Sequence, residues 1–159
     1  MAHLYHATVA WQRKDSEPFL DNRYSRGHVW RFDEGVEVPA SSSPLVVPRN
    51  SVAAAVDPEE AFVASLSSCH MLFFLNFAAL AGFRIDAYED PAMGEMGKNE
   101  AGKAIVAKVT LRPRITFSGD KRPGAADLER LHHKSHEECF IANSVVTEVV
   151  TEIVPPVFA

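Results

Sequence analysis

DPEEAFVASLSSCHMLFFLNFAALAGF, residues 57–83, decides the fold. Asp57 is a good N-cap, Pro58 suits the first helical position, and Glu59 and Glu60 favour the positive end of a helix dipole. A helix from there runs to about Ala81, where Gly82 supplies the stop. Between Ala61 and Ala81 the only polar side chains are Ser65, Ser67, Ser68, His70 and Asn76. Such a span is about 30 Å long, the thickness of a bilayer core. Four of the five polar residues fall in 65–70, however, which would put His70 near mid-membrane, where polar groups are costly. The helix is therefore read as buried on most sides in a protein with no membrane partner. One small sheet covers one face only. The remaining apolar surface, Phe73, Phe74, Phe77 and Leu80, calls for a second copy of the chain across a large apolar interface.

The segments around this helix read as sheet. Residues 3–12 are rich in β-branched and aromatic types, and residues 25–40 read as a hairpin turning at Asp33–Gly35. Residues 41–50, SSSPLVVPRN, hold two prolines and must be extended or looped. After the helix come two β-like segments, residues 83–93 and 105–117, separated by GEMGKNEAGK read as a polar loop. A second helix starts at or near Asp127 and runs to about Phe140. SVVTEVVTEIV, residues 144–154, closes the chain as a strand. Two helices against about six strands give an α+β fold with a largely antiparallel sheet, a single domain over 1–159.

A chain of 159 residues buries a real core. Its net charge of -5 argues against a nucleic-acid partner, which would call for a basic stripe. The N-terminus lacks a charged region followed by an apolar run, so no signal peptide is read there. Two cysteines are too few for a disulfide scaffold, and the cytoplasm is the expected compartment.

Those two cysteines hold the chemistry. Cys69, amid serines, has a plain reading as a small buried hydrophobe. Cys139 follows Leu128, Leu131 and Ser135 at helical spacings, so it faces inward with the leucines. If the two helices pack together the thiols can meet, and a sulfenic acid on one can be resolved by the other. His132, His136 and Cys139 also have an i, i+4, i+7 spacing that could present metal ligands, against the plainer reading of a solvated histidine face. No fourth ligand motif accompanies them, and no metal or other cofactor is expected.

DPEEAFVASLSSCHM and HEECFIANSV resemble the two cysteine motifs of the OsmC/Ohr family of thiol-dependent peroxidases. In that pattern a proline and a glutamate open a long central helix, with a cysteine about ten residues on. A second cysteine lies near the end of the second helix, and an arginine stands upstream, here Arg49. The order of elements agrees along essentially the whole chain. The resemblance implies an intertwined homodimer that reduces organic hydroperoxides, and hydrogen peroxide as a further substrate. Cys69 would be the peroxidatic thiolate, Cys139 the resolving thiol that closes a Cys69–Cys139 disulfide, Arg49 the thiolate activator and Glu59 the carboxylate orienting it. An external dithiol, lipoyl in type, would return the electrons. A guanidinium is always charged and its several donors hold a thiolate and polarise peroxide oxygens. Glu59 stands ten residues, about 15 Å of helix, from Cys69, so Arg49 bridges that distance or acts with Glu59 on the partner's Cys69. Phe140 follows Cys139 where the family commonly has proline. The alternative is a module that binds a small hydrophobic ligand on the same scaffold, with idle cysteines.

Overall fold

The computed structural model describes residues 2–159, which form two compact units, 2–61 and 62–159. The first unit holds three short strands, β1 (Thr8–Ala10), β2 (His28–Arg31) and β3 (Glu37–Ala40), paired antiparallel in that order. The Asp33–Gly35 turn joins β2 to β3 as expected, while of residues 3–12 only Thr8–Ala10 is strand. Trp11, Phe19 and Tyr24 pack into an aromatic cluster with ring centroids 4.7–6.0 Å apart.

Residues 41–56 return the chain from β3 to the long helix α1 (Pro58–Leu80). Serine hydroxyls tie this loop together. Ser51 Oγ donates to the Val47 carbonyl at 2.7 Å and accepts from Ser42 Oγ, while Ser41 Oγ accepts from the Val52 amide at 2.9 Å. The loop closes on β3 through Ser41 N–H to the Val56 carbonyl. Buried backbone groups that have no ladder need such partners.

The helix begins and ends where the sequence indicates. Asp57 Oδ1 accepts from the Glu60 amide at 2.7 Å and Glu60 Oε2 accepts from the Asp57 amide at 3.1 Å, a reciprocal capping box. At the other end Gly82, with φ of 79°, adopts the left-handed conformation. Phe83 N–H reaches the Ala78 carbonyl and Gly82 N–H the Ala79 carbonyl, a Schellman closure. By length and composition α1 could cross a membrane. Its stripe Leu66, His70, Phe74 and Ala78 is nevertheless buried in the core, four residues apart each time. Phe74 belongs to this core rather than to a face awaiting a second copy. Leu72 and Leu80 are exposed and Phe73 and Phe77 are half-buried.

The second unit places two mixed three-stranded sheets around α1, where the sequence suggested one sheet. One has the order β4 (Arg84–Glu89), β7 (Arg114–Ser118), β9 (Val157–Phe158). The other has the order β5 (Met93–Lys98), β6 (Ala104–Leu111), β8 (Glu148–Thr151). Pairs β4–β7 and β5–β6 are antiparallel; β6–β8 and β7–β9 are parallel. The second helix, α2 (Ala125–Glu138), starts two residues before Asp127, whose carboxylate accepts from the Gly124 amide and pairs with Arg130. Phe74, Ala78, Phe83, Ile115, Phe117, Leu128 and Leu131 make one apolar cluster, and Leu66, Val109 and Leu111 another. His70 lies on the stripe between the two.

Three sequence readings need correction. The long segment 105–117 breaks at Arg112–Pro113, since proline cannot donate to a ladder and the Arg112 amide turns to Asp90 Oδ1 at 2.7 Å. The supposed loop at 94–98 is strand β5. Its glycines are there for space, because a Cβ on Gly94 would lie 2.6 Å from Val63 Cγ2 of α1 and one on Gly97 2.7 Å from Ala107 Cβ. The closing strand β8 is also shorter than 144–154 suggested.

Gly94→Ala should push β5 off α1 and destabilise the fold by about 1–3 kcal/mol, as overpacking does. Thermal melts should show a fall of roughly 2–4 °C per kcal/mol. An unchanged melting temperature would mean that β5 does not pack on α1 this closely.

Candidate active site

Cys69 leaves the middle of α1 half-buried, one residue before the buried His70. Cys139 closes the C-terminal end of α2 with extended backbone (φ -66°, ψ 109°), and it is only 1% exposed. The two thiols are near neighbours, close enough for Cys69 to perturb Cys139. The inward direction read from Leu128, Leu131 and Ser135 is therefore correct, and the two thiols meet between the helices.

Burial pushes the Cys139 thiol up to about 11, and the neighbouring Cys69 thiol pushes the same way. The Ala142 amide opposes them by donating to Cys139 Sγ at 3.4 Å. Further contacts fix the segment that carries Cys139. Its own amide bonds the His136 carbonyl, Asn143 N–H bonds the Cys139 carbonyl, and Asn143 Nδ2 donates to the Glu137 carbonyl at 2.7 Å. Phe140, though 68% exposed, sets its ring edge-on to Phe73 of α1 with centroids 5.2 Å apart. Phe73 lies one helical turn beyond Cys69, so this contact braces the helices beside the thiol pair.

A histidine pair, not legible as a pair in the sequence, also joins the two helices. His70 Nε2 and His132 Nδ1 are 3.0 Å apart, with ring planes 13° from parallel. His132 rests on the Phe74 ring at 4.4 Å. Burial lowers both rings, to about 3 for His70 and about 4 for His132, and the neighbouring His132 and His136 lower His70 further. Both are therefore neutral near pH 7, one ring giving its N–H and the other a lone pair. His70 Nδ1 is buried without a partner among the described residues. The signal available in the sequence was a histidine on each apolar stripe, His70 between Leu66 and Phe74 and His132 beside Leu131. The solvated histidine face expected on α2 is thus only partial, with His133 exposed and paired to Glu137 at 3.3 Å. Among the described residues no three His, Cys, Asp or Glu side chains converge to hold a metal ion, so the spacing of His132, His136 and Cys139 does not produce a ligand set.

The other two expected site residues lie in residues 2–61. Arg49 is exposed on the serine-tied loop, and Glu59 is half-buried in the first turn of α1. Among the described residues the ion pairs of that unit are Arg13–Asp15, Arg23–Asp21 and Arg31–Glu37. Arg49 and Glu59 are in none of them.

A fold with a long core helix, a second short helix and a thiol from each side by side defines a class of two-cysteine α+β proteins. The family model described as OsmC-like protein matches residues 50–154, and the chain belongs to that family. An OsmC-like protein of unknown function from Vibrio cholerae O1 biovar eltor str. N16961 is 57% identical, with 96% of this chain and 100% of that chain covered and a TM-score of 0.95. The same fold occurs in an organic hydroperoxide resistance protein from Elizabethkingia anophelis, at 15% identity, 99% and 97% coverage and a TM-score of 0.65. It occurs again in the organic hydroperoxide resistance protein OhrB of Bacillus subtilis, at 16% identity, 96% and 98% coverage and a TM-score of 0.64. No curated protein matches the chain.

The buried imidazoles predict an acid-sensitive fold. Their folded-state values lie below the ~6.5 of free imidazole, so the unfolded chain takes up protons first as pH falls. Their contribution is intact above about pH 6.5 and is lost as pH falls from there to about 4 for His132 and about 3 for His70, at roughly 1.4 kcal/mol per pH unit for each ring. Urea midpoints at pH 7, 6 and 5 should fall in sequence. Identical midpoints would show that the rings are not buried as neutral groups.

Proposed function

We propose that the protein is a thiol-dependent peroxidase acting on organic hydroperoxides. The observation that carries this reading is the neighbouring pair of free thiols, Cys69 and Cys139, with Cys69 the more accessible of the two. The Cys69 thiolate attacks the distal oxygen of a hydroperoxide, breaking the O–O bond. Sulfur is oxidised to the sulfenic acid, and the alkoxide leaves as alcohol on taking a proton. Cys139 sulfur then attacks Cys69 sulfur, forming the disulfide and releasing water. An external dithiol, lipoyl in type, reduces that disulfide and becomes oxidised itself. Apolar neighbours such as Phe73 suit an alkyl chain, and membership of the OsmC-like family supports the scaffold.

Arg49 and Glu59 belong to this reading as the activating cation and the carboxylate that aims it. A thiolate in apolar surroundings needs a fixed positive charge beside it. We further propose a homodimer in which Arg49 serves the Cys69 of the partner chain. The exposed Leu72 and Leu80 and the half-buried Phe73 and Phe77 of α1 supply an apolar face for the second copy.

Intact mass of the denatured protein, before and after one equivalent of cumene hydroperoxide, tests the chemistry. The wild type should lose two hydrogens, Cys69→Ser should not change, and Cys139→Ser should gain oxygen. Two unmodified thiols after treatment would sink the reading and favour a hydrophobic-ligand module.

Mixing Arg49→Gln with Cys69→Ser chains tests the shared site. Each homodimer should be inactive, and the mixed dimer should regain turnover because one site then combines Cys69 with the other chain's Arg49. No recovery in verified mixed dimers would place Arg49 on its own chain's thiol or outside the site.

A further inference from the structure

Cys69 and His70 are adjacent, so their side chains leave α1 at one level, about 100° apart around the axis. Their partners on α2, Cys139 and His132, are seven residues apart, about 10 Å along a helix. Two ties at one level of α1 and two turns apart on α2 fix both the approach of the helices and their crossing angle. With the thiol end alone, α2 keeps a pivot at its C-terminus. The Phe73–Phe140 contact lies at that same end and does not remove the pivot.

The histidine tie is suited to stay closed. His70 and His132 are 1% and 4% exposed, so little water reaches either ring to replace a lost bond. Opening it would leave a second orphaned nitrogen on His70, beside the unpartnered Nδ1, and a buried polar atom without a partner is costly. A disulfide, in turn, tolerates only a narrow range of Cα and Cβ separations. A small pivot of α2 therefore costs much of the encounter between the two sulfurs.

We propose that the His70–His132 hydrogen bond sets the effective concentration of the Cys69 and Cys139 thiols, making both histidines positioning residues for closure of the Cys69–Cys139 disulfide. Their part in resolving a sulfenic acid rests on the peroxidase reading above; their part in holding the thiols together does not.

The test uses glutathione, so that peroxide chemistry does not enter. In a buffer of reduced and oxidised glutathione both protein thiols give up hydrogen, the Cys69–Cys139 bond forms, and the S–S bond of oxidised glutathione breaks to two thiols. The poise at half-oxidation, read by acid quench, alkylation and intact mass, gives the effective concentration. His132→Phe keeps a ring on Phe74 and deletes the bond, His70→Leu deletes it from α1, and His132→Asn offers an amide near the place of Nδ1. Both deletions should lower the effective concentration by about tenfold or more, and His132→Asn should stay within about threefold of wild type. An unchanged value in a folded His132→Phe, or a fall in His132→Asn as deep as in His132→Phe, would overturn the proposal. If His132→Phe does not fold, His70→Leu decides alone. A wild type that closes its disulfide in glutathione yet not with cumene hydroperoxide would refute the peroxidase reading and leave this one standing.

Discussion

A helix that is apolar on nearly every side satisfies only the faces that something covers, and the second unit is arranged around that constraint. The stripe Leu66, His70, Phe74 and Ala78 takes the core, with one apolar cluster at each end. Each polar residue of α1 on or near that stripe then needs a partner. Ser65 Oγ donates to the Phe62 carbonyl, Ser67 to Asp90 Oδ2, and His70 bonds His132. Asp90 also receives the Arg112 amide, so one carboxylate joins α1 to the break between β6 and β7. Polar groups thus set the register of contacts that apolar burial alone leaves loose.

The thiol pair follows from this arrangement. Cys69 lies beside the buried stripe rather than on it, which leaves it half-exposed. Cys139 lies on the buried face of α2 and is fully enclosed. The difference gives the sulfurs different chemistry from the same residue type. One is reachable from outside, while the other is held protonated by burial and poised against the first. In the peroxidase reading proposed above, an entering oxidant meets Cys69 first.

The sequence displayed α1 down to its caps, because Asp57, Glu60 and Gly82 act through local bonds that leave local signatures. Strand β5 was hidden because Gly94 and Gly97 are selected by close approach to Val63 and Ala107, a tertiary cause that looks like loop composition. The meeting of Cys69 with Cys139 was legible as a condition on helix packing. The His70–His132 pair was not, since spacing along one helix carries no information about the other. Arg49 and Glu59 stand at sequence positions that the family pattern marks, with no ion pair of their own among the described residues.

Cys139 is the residue at which α2 gives way to a short 3-10 turn, Ala142–Ser144. A side chain inside a helix moves only if several rungs of its ladder bend together. Cys139 is held from both sides, its amide 3.3 Å from the His136 carbonyl and its own carbonyl 3.0 Å from the Asn143 amide. Mechanically α2 is a shaft held at two points, at His132 by His70 and at its tip by the turn that follows. A change of bond at Cys139 is therefore shared between the helix before it and the turn after it.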